Sequence, residues 1–366
     1  MTPIDRFRHP VPSLEHVPLA PHCTMGVGGL ARYFFEARDE RAVREALDWA
    51  VPRHVAVYVL GGGSNLVVAD AGVDGLVVKI ALRGVSTREG PDVVELTAAA
   101  GEPWDDLVRF TVERGWAGLE CLSGIPGLVG ATPIQNVGAY GQEVSEVLTH
   151  VRALDRRSGQ VVTLSPDECG FAYRDSAFKR SEPGRYIVLA VGYRLMPGGA
   201  PAVRYRDVEQ DLEGRGIRTP SLAEVRGSVL GIRRSKSMVL EGDDPNRRSC
   251  GSFFLNPIVT SIELRRIEER AGFDPAMPRW SVPDGRVKLS AAWLIQAVGF
   301  ERGEREGSVG LSSRHTLAIV CYDGARAADV VALARRVRAR VEERFGVRLH
   351  PEPVFWGPLD LDADNS

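Results

Sequence analysis

The chain has 366 residues, of which 44% are hydrophobic and 26% charged, and a formal net charge of −2. That length and balance suit roughly two or three packed domains, exclude long disorder, and leave no net positive field for nucleic acid or an anionic membrane. Five widely spaced cysteines (Cys23, Cys121, Cys169, Cys250 and Cys321), with no C-x-x-C pair, argue against a disulfide framework or a zinc cluster and suit a reducing compartment.

Residues 1–19 lack the apolar core of a signal peptide and read as a tail. No apolar run approaches the roughly 20 residues that span a bilayer. From Cys23 to about Met196, strands alternate with helices. Residues 39–50 place Val43, Ala46, Leu47 and Ala50 on one helical face. Residues 55–60 form a short β-branched strand that runs into Gly61-Gly62-Gly63, and 76–80 and 93–100 read as further strands. Residues 103–114 predict a helix with Pro103 in its first turn, Trp104, Leu107, Val108 and Thr111 at helical spacing, and a stop at Gly115. A strand over 186–195 closes this half.

The cluster Pro197-Gly198-Gly199-Ala200-Pro201 is punctuation. Beyond it, Ser221 and Glu224 form a capping box that opens a helix through Val225, Val229 and Ile232. Helices follow near 261–271 and 289–298, with a strand at 317–322. A long helix from about 326 to 345 carries Val330, Ala334, Val337, Val341 and Phe345 on one stripe and ends at Gly346. The class is mixed α and β, with a larger N-terminal and a smaller C-terminal part.

Five segments carry possible chemistry. Gly61-Gly62-Gly63-Ser64-Asn65 directly follows a strand, where successive N–H groups form a nest for phosphate; a tight turn between strands is the alternative. It is neither a Walker loop nor a sound G-x-G-x-x-G, since Leu66 stands at the sixth position. The stretch from Ser123 to Gly141 has five glycines and two prolines yet is apolar, which suits a backbone folded against a flat ligand or a buried interdomain loop. Tyr173-Arg174-Asp175-Ser176-Ala177-Phe178-Lys179 offers a guanidinium able to hold a carboxylate in a fork, or a solvated turn with a local ion pair. Gly251-Ser252-Phe253-Phe254-Leu255-Asn256-Pro257 sets one hydroxyl among aromatics, a usable proton donor or a serine at a strand end. Glu352 lies between Pro351 and Pro353, which bars a central strand and points to an edge. Only four lysines occur among 46 basic residues, Lys79, Lys179, Lys236 and Lys288, a scarcity that suits either places where an ammonium is specifically wanted or chance.

Taken in order, these five segments resemble the UDP-N-acetylenolpyruvoylglucosamine reductase family, over about 24–357 of the chain. The resemblance implies an α+β protein: an FAD-binding half of the vanillyl-alcohol-oxidase type at 21–197, in subdomains at roughly 21–82 and 83–197, and a smaller α+β substrate domain at 218–357. It implies FAD held by Gly61, Gly62, Gly63, Ser64, Asn65, Ser123, Gly124, Ile125, Pro126, Gly127, Gly130, Ala131, Gln135, Asn136, Gly138 and Ala139. Ser252 would be the proton donor, Arg174 the carboxylate clamp and Glu352 the partner of an enol-like intermediate. Tyr140, Tyr205, Lys236 and Asn256 would contact substrate. NADPH would be the reductant, although no pattern for its extra phosphate is readable, and no metal is called for. A cytoplasmic monomer on the route to the cell wall, with small-molecule partners, no nucleic acid and no membrane, is expected.

The chain departs from the family's pattern at Cys23, where asparagine is common, at Gln296, where an acid is common, and at Val354, where some members have arginine. Three other readings compete. An oxidase on the same flavin fold has no use for the Ser252 and Glu352 segments, and a non-catalytic nucleotide-binding protein needs no proton donor. A serine hydrolase lacks its G-x-S-x-G elbow.

Overall fold

The computed structural model describes residues 14–271, 277–282 and 284–362. They fall into two compact units. The first is made of Arg32–Gly62, Asp74–Leu240 and the described residues up to Val17; the second is made of Pro18–Ala31, Gly63–Val73 and the described residues from Glu241 on.

In the first unit an antiparallel sheet runs in the order Val161–Leu164, Leu148–Asp155, Tyr186–Pro197, Val94–Ala99 and Val85–Glu89. The middle strand is 12 residues long, and its Val191 lies opposite Val151 on one side and Ala98 on the other. A second sheet orders Leu14–Pro18, Leu30–Ala37, Val73–Ile80 and Ala56–Leu60, the last two parallel with Tyr58 opposite Val77. Helix α1 (Glu40–Ala50) starts because the Asp39 carboxylate accepts the Ala42 N–H at 2.7 Å, and it buries the expected face together with Trp49. Helix α2 (Trp104–Glu113) takes Pro103 as its N-cap, in extended conformation, rather than in its first turn. The buried Trp104 indole donates to the Leu122 carbonyl at 3.0 Å. Two single-turn helices follow, α3 (Pro166–Cys169) and α4 (Ala177–Arg180), then α5 (Arg206–Gly214) and α6 (Leu222–Ser235). The Ser221–Glu224 capping box forms as expected.

Two expectations change. Residues 1–13 of the expected tail lie outside the described residues, but Leu14–Pro18 is a strand and Leu19 is fully buried. Its own pattern is too polar to read as a strand; pairing beside Leu30–Ala37 supplies the order. The Pro197–Pro201 punctuation is not where the compact units part. Helices α5 and α6 bury Val208, Leu212, Val225 and Val229 with Cys121, so the first unit runs on to Leu240.

The second unit holds α7 (Ser261–Ala271), α8 (Ala291–Ala297) and α9 (Ala327–Phe345). Helix α8 begins later than its periodicity suggests, because Val287–Leu289 pairs as a strand and Ser290 caps the helix through the Trp293 N–H. Helix α9 buries the expected stripe of Val330, Ala334, Val337, Val341 and Phe345, and ends on a left-handed Gly346. Its first turn is held by Asp70, which accepts the N–H groups of Ala327 and Ala328 at 2.8 and 3.0 Å. Leu66–Val68 and Val354–Trp356 form a parallel pair with Leu66 opposite Val354.

Candidate active site

The expected site residues gather into two sets, one in each compact unit. In the first unit the two glycine stretches meet backbone to backbone. A Cβ on Gly62 would stand 2.9 Å from the Gly127 Cα, and one on Gly130 would stand 2.6 Å from the Ala100 Cβ. Gly61, by contrast, faces nothing nearer than Leu128 at 3.9 Å. The loop is pinned from below: Trp104 N–H donates to Gly127, Val129 N–H to Glu102 and Gly130 N–H to Ala100. Its apolar Ile125, Leu128 and Ile134 stay only half buried, and Ala131 is exposed. Pinned backbone with uncovered apolar side chains is a cradle for a flat, partly apolar group.

Some candidates serve this loop rather than project from it. The Ser123 hydroxyl is buried and donates to the Glu120 carbonyl at 2.6 Å. Asn136, at φ 42°, donates to Glu143 at 2.7 Å and to the Ala172 carbonyl at 3.2 Å, and accepts from Ser145 N–H. Their side chains fix the loop's shape and leave its backbone to meet a ligand.

Around this cradle stand the cationic and aromatic candidates. Arg174, at φ 52°, donates from Nη2 to the Gly138 carbonyl at 2.5 Å, and Lys179 Nζ donates to the Arg174 carbonyl at 3.0 Å. Tyr140 and Tyr205 meet edge to face with ring centroids 5.4 Å apart. Burial pushes the Tyr140 hydroxyl up to about 12. Lys236 Nζ pairs with Asp207 at 2.9 Å.

The sequence reading missed Arg233. It is 8% exposed, donates from Nη2 to the Met238 carbonyl at 2.7 Å, and shares a side-chain hydrogen bond with Tyr140. Its Nε is buried with no acceptor among the described residues. A signal was available: Arg233 continues the buried Val225–Val229 stripe of α6 at i+4, where an apolar residue belongs.

In the second unit Gly63 is obligatory, since at φ 62° its Cβ would stand 1.9 Å from the His22 carbonyl oxygen. Asn65 Nδ2 donates to the Glu352 carbonyl at 3.1 Å, and Val354 N–H returns to the Asn65 carbonyl at 3.0 Å. The aromatic segment and the proline-flanked acid run side by side. Leu255 N–H donates to His350, Glu352 N–H donates to Phe253 at 2.9 Å, and Phe254 bridges to Pro351. The segment carrying Ser252 is therefore brought alongside the one carrying Glu352, and Phe253 and Phe254 are buried. The Ser252 hydroxyl has no hydrogen-bond partner among the described residues and is half buried. Burial pushes the neighbouring Cys250 thiol above its usual range, and the Glu352 charge pushes it further. Asn256 spends its side-chain oxygen on the Ala291 N–H at the start of α8, at 2.9 Å. Of the departures, Cys23 is buried, whereas Gln296 is exposed on α8 and Val354 is half exposed in its strand.

Comparison with known proteins settles the family. Residues 244–356 match the C-terminal domain of UDP-N-acetylenolpyruvoylglucosamine reductase, and residues 31–165 match an FAD binding domain. The reductase of Saccharopolyspora erythraea is 47% identical over 92% of this chain and 94% of its own length. The chain belongs to the UDP-N-acetylenolpyruvoylglucosamine reductase family. The Pseudomonas putida member is 42% identical over 93% of this chain and 98% of its own. The crystal structure of the Thermus caldophilus reductase is 26% identical, aligns with a TM-score of 0.63, and covers 94% of this chain and 98% of that one. The α+β class and the FAD-binding half expected from the sequence hold for this reductase-family chain.

Its residues also fit the cofactor on physical grounds. The glycine cradle leaves no room for side chains at Gly62 and Gly130, and a buried guanidinium nitrogen beside it lacks an acceptor among the described residues.

Proposed function

We infer that this chain reduces the enolpyruvyl group of UDP-N-acetylenolpyruvylglucosamine with NADPH, through bound FAD, in the synthesis of peptidoglycan precursors. The observation that carries this reading is the 47% identity to a named reductase, sustained over 92% of the chain. Among the described residues no helix is long and apolar enough to cross a membrane. We place the protein in the cytoplasm as a monomer whose partners are small molecules, not nucleic acid or membrane. We assign 21–197 to FAD binding, in subdomains at about 21–82 and 83–197, and 218–357 to substrate binding; residues 218–240 pack with the first compact unit.

FAD bound in this cradle would supply hydride transfer between NADPH and the terminal carbon of the enolpyruvyl group. Everything else falls to the protein. Arg174 holds the substrate carboxylate, on which negative charge grows as the hydride arrives. Its left-handed backbone and its bond to Gly138 fix where the guanidinium points. Ser252 gives its Oγ proton to the neighbouring carbon, and hydride plus proton saturate the double bond; the hydroxyl regains its proton from water. A hydroxyl is a weak acid, but the carbon it meets is a strong base, and a half-buried hydroxyl without a competing partner is free to aim at it. Glu352, whose N–H is bonded to Phe253 of the Ser252 segment, partners the enol-like group. Tyr140, Tyr205, Lys236 and Asn256 bind the rest of the substrate. Gly61 to Asn65 and the stretch from Ser123 to Ala139 hold FAD.

An anaerobic visible spectrum tests the reaction. The flavin should bleach with NADPH and recover its colour with the enolpyruvyl UDP-sugar; recovery only with oxygen would make the chain an oxidase.

A further inference from the structure

Four charged side chains are buried among the described residues: Glu120, Asp155, Arg233 and Arg338. Three of them are satisfied. Asp155 pairs with Arg185 at 2.9 Å and Arg338 with Asp362 at 2.6 Å. Glu120 accepts the N–H groups of Gly118 and Ala202 at 2.8 and 2.7 Å. Among the described residues Arg233 has no carboxylate partner, and its Nε has no acceptor. The acid that attracts it, Asp105, is already committed: it holds Arg226 in a fork at 2.6 and 2.8 Å and accepts the Gly124 N–H at 2.5 Å. Arg174 is close enough to repel it. A desolvated cation with a like charge nearby and no counter-ion is costly, and such an arrangement persists where an anion completes it.

The position of Nε says which anion. A Cβ on Gly124 would stand 3.3 Å from it, so the orphaned N–H lies against the loop that cradles the flat cofactor. Arg174, by contrast, is turned to Gly138. Each hydride taken from NADPH carries two electrons and one proton, so the cofactor gains one net negative charge while NADP leaves with one more positive charge. A fixed cation beside the ring favours the charged, reduced form over the neutral one. We propose that Arg233 is the cation that takes up the negative charge FAD acquires on reduction, and so sets how readily NADPH reduces it. The proposal rests on the reading that the stretch from Ser123 to Ala139 holds the flavin ring.

The test compares Arg233→Gln, which removes the charge, with Arg233→Lys, which keeps it, both with FAD bound. The readouts are the flavin's reduction potential, by dye equilibration, and its affinity for sulfite, which adds to the ring as an anion and needs the same stabilisation. Arg233→Gln should lower the equilibrium constant for reduction at least about tenfold, which is about 30 mV for a two-electron couple, and weaken sulfite binding in proportion. Arg233→Lys should keep both within about threefold of wild type, because the charge survives although the fork does not. A merely structural role would change melting and FAD retention without moving the potential. Unchanged potential and sulfite affinity in FAD-loaded Arg233→Gln overturns the proposal, as does a Lys variant that behaves like Gln. If the Gln variant does not hold FAD, the wild-type protein decides. Reconstituted with FAD bearing a thiol on its benzene ring, it should show the long-wavelength quinoid spectrum that a nearby cation induces; the ordinary thiolate spectrum overturns the proposal. Ile125→Glu separates the two failures. FAD affinity unaffected by that carboxylate removes the loop reading itself, whereas lost affinity there with an unmoved Arg233→Gln potential removes Arg233 alone.

Discussion

Glu352 donates its backbone N–H to the Phe253 carbonyl at 2.9 Å, and that bond aligns the segment of Ser252 with the segment of the acid. The two segments are far apart in sequence and neither is a regular strand at this point. The buried Phe253–Phe254 pair, with ring centroids 5.2 Å apart, anchors one segment, and the prolines around Glu352 stiffen the other. The proposed proton donor and its neighbour are thus held by backbone and packing, so either side chain can be changed without dismantling the arrangement.

Ser252→Ala should therefore leave the fold and the reduction of FAD by NADPH intact. It should slow reoxidation by the enolpyruvyl UDP-sugar on the order of 10²–10⁴-fold. Stopped-flow traces of the two half-reactions read these separately. Equal slowing of both would remove Ser252 from the role of acid.

Arg174→Lys should keep a positive charge yet lose the two-pronged grip on the substrate carboxylate. The reoxidation step should fall about 10- to 100-fold, the scale of a lost charged hydrogen bond. A rate and substrate affinity equal to wild type would show that the Arg174 guanidinium does not hold that group.

At Gly63, a methyl group would meet the His22 carbonyl oxygen at 1.9 Å, on a backbone already at φ 62°. Gly63→Ala should destabilise the protein by about 2 kcal/mol or more and reduce FAD retention. Thermal melting with and without added FAD checks both effects.

Asp70 secures the first turn of α9 through two backbone N–H groups. Asp70→Ala should cost about 1 kcal/mol in urea unfolding, and Asp70→Asn less, because an amide oxygen still caps. Activity per folded molecule should hardly change. A silent Asp70→Ala would mean that α9 needs no cap.

The buried Asp155 carboxylate is held well below the usual aspartate range, first by its hydrogen bonds to Arg185 at 3.1 and 2.9 Å and then by the Arg157 N–H. A carboxylate with a depressed folded pKa adds stability above its unfolded value, near 3.9, and loses it as pH falls toward the folded value. Asp155→Asn should accordingly be less stable than wild type at neutral pH, and the gap should shrink as the pH is lowered below about 4. Urea midpoints measured across that range test the sign; a gap that widens in acid contradicts it.

Much of the outline was legible in the sequence, for a local reason. The α1 face, the Ser221–Glu224 box and the α9 stripe depend on spacings within a few turns of one helix, and they appear where the residues indicate. The five ordered segments sufficed to identify the family because each is a run of neighbours in the chain.

What only the tertiary structure decided involves residues far apart. Leu14–Pro18 becomes a strand through its neighbour rather than its own pattern, and α5 and α6 join the first unit because their apolar faces close over Cys121. In the sequence Arg233 stands out only by its place on the Val225–Val229 stripe, which does not say whether it is charged and unpaired. Folding withdraws it from water, gives it the Met238 carbonyl and the Tyr140 hydroxyl, and pairs it with no carboxylate among the described residues. The chain order records which groups are present. Desolvation, which sets what an unpaired charge costs and so what it must be waiting for, exists only once the chain is packed.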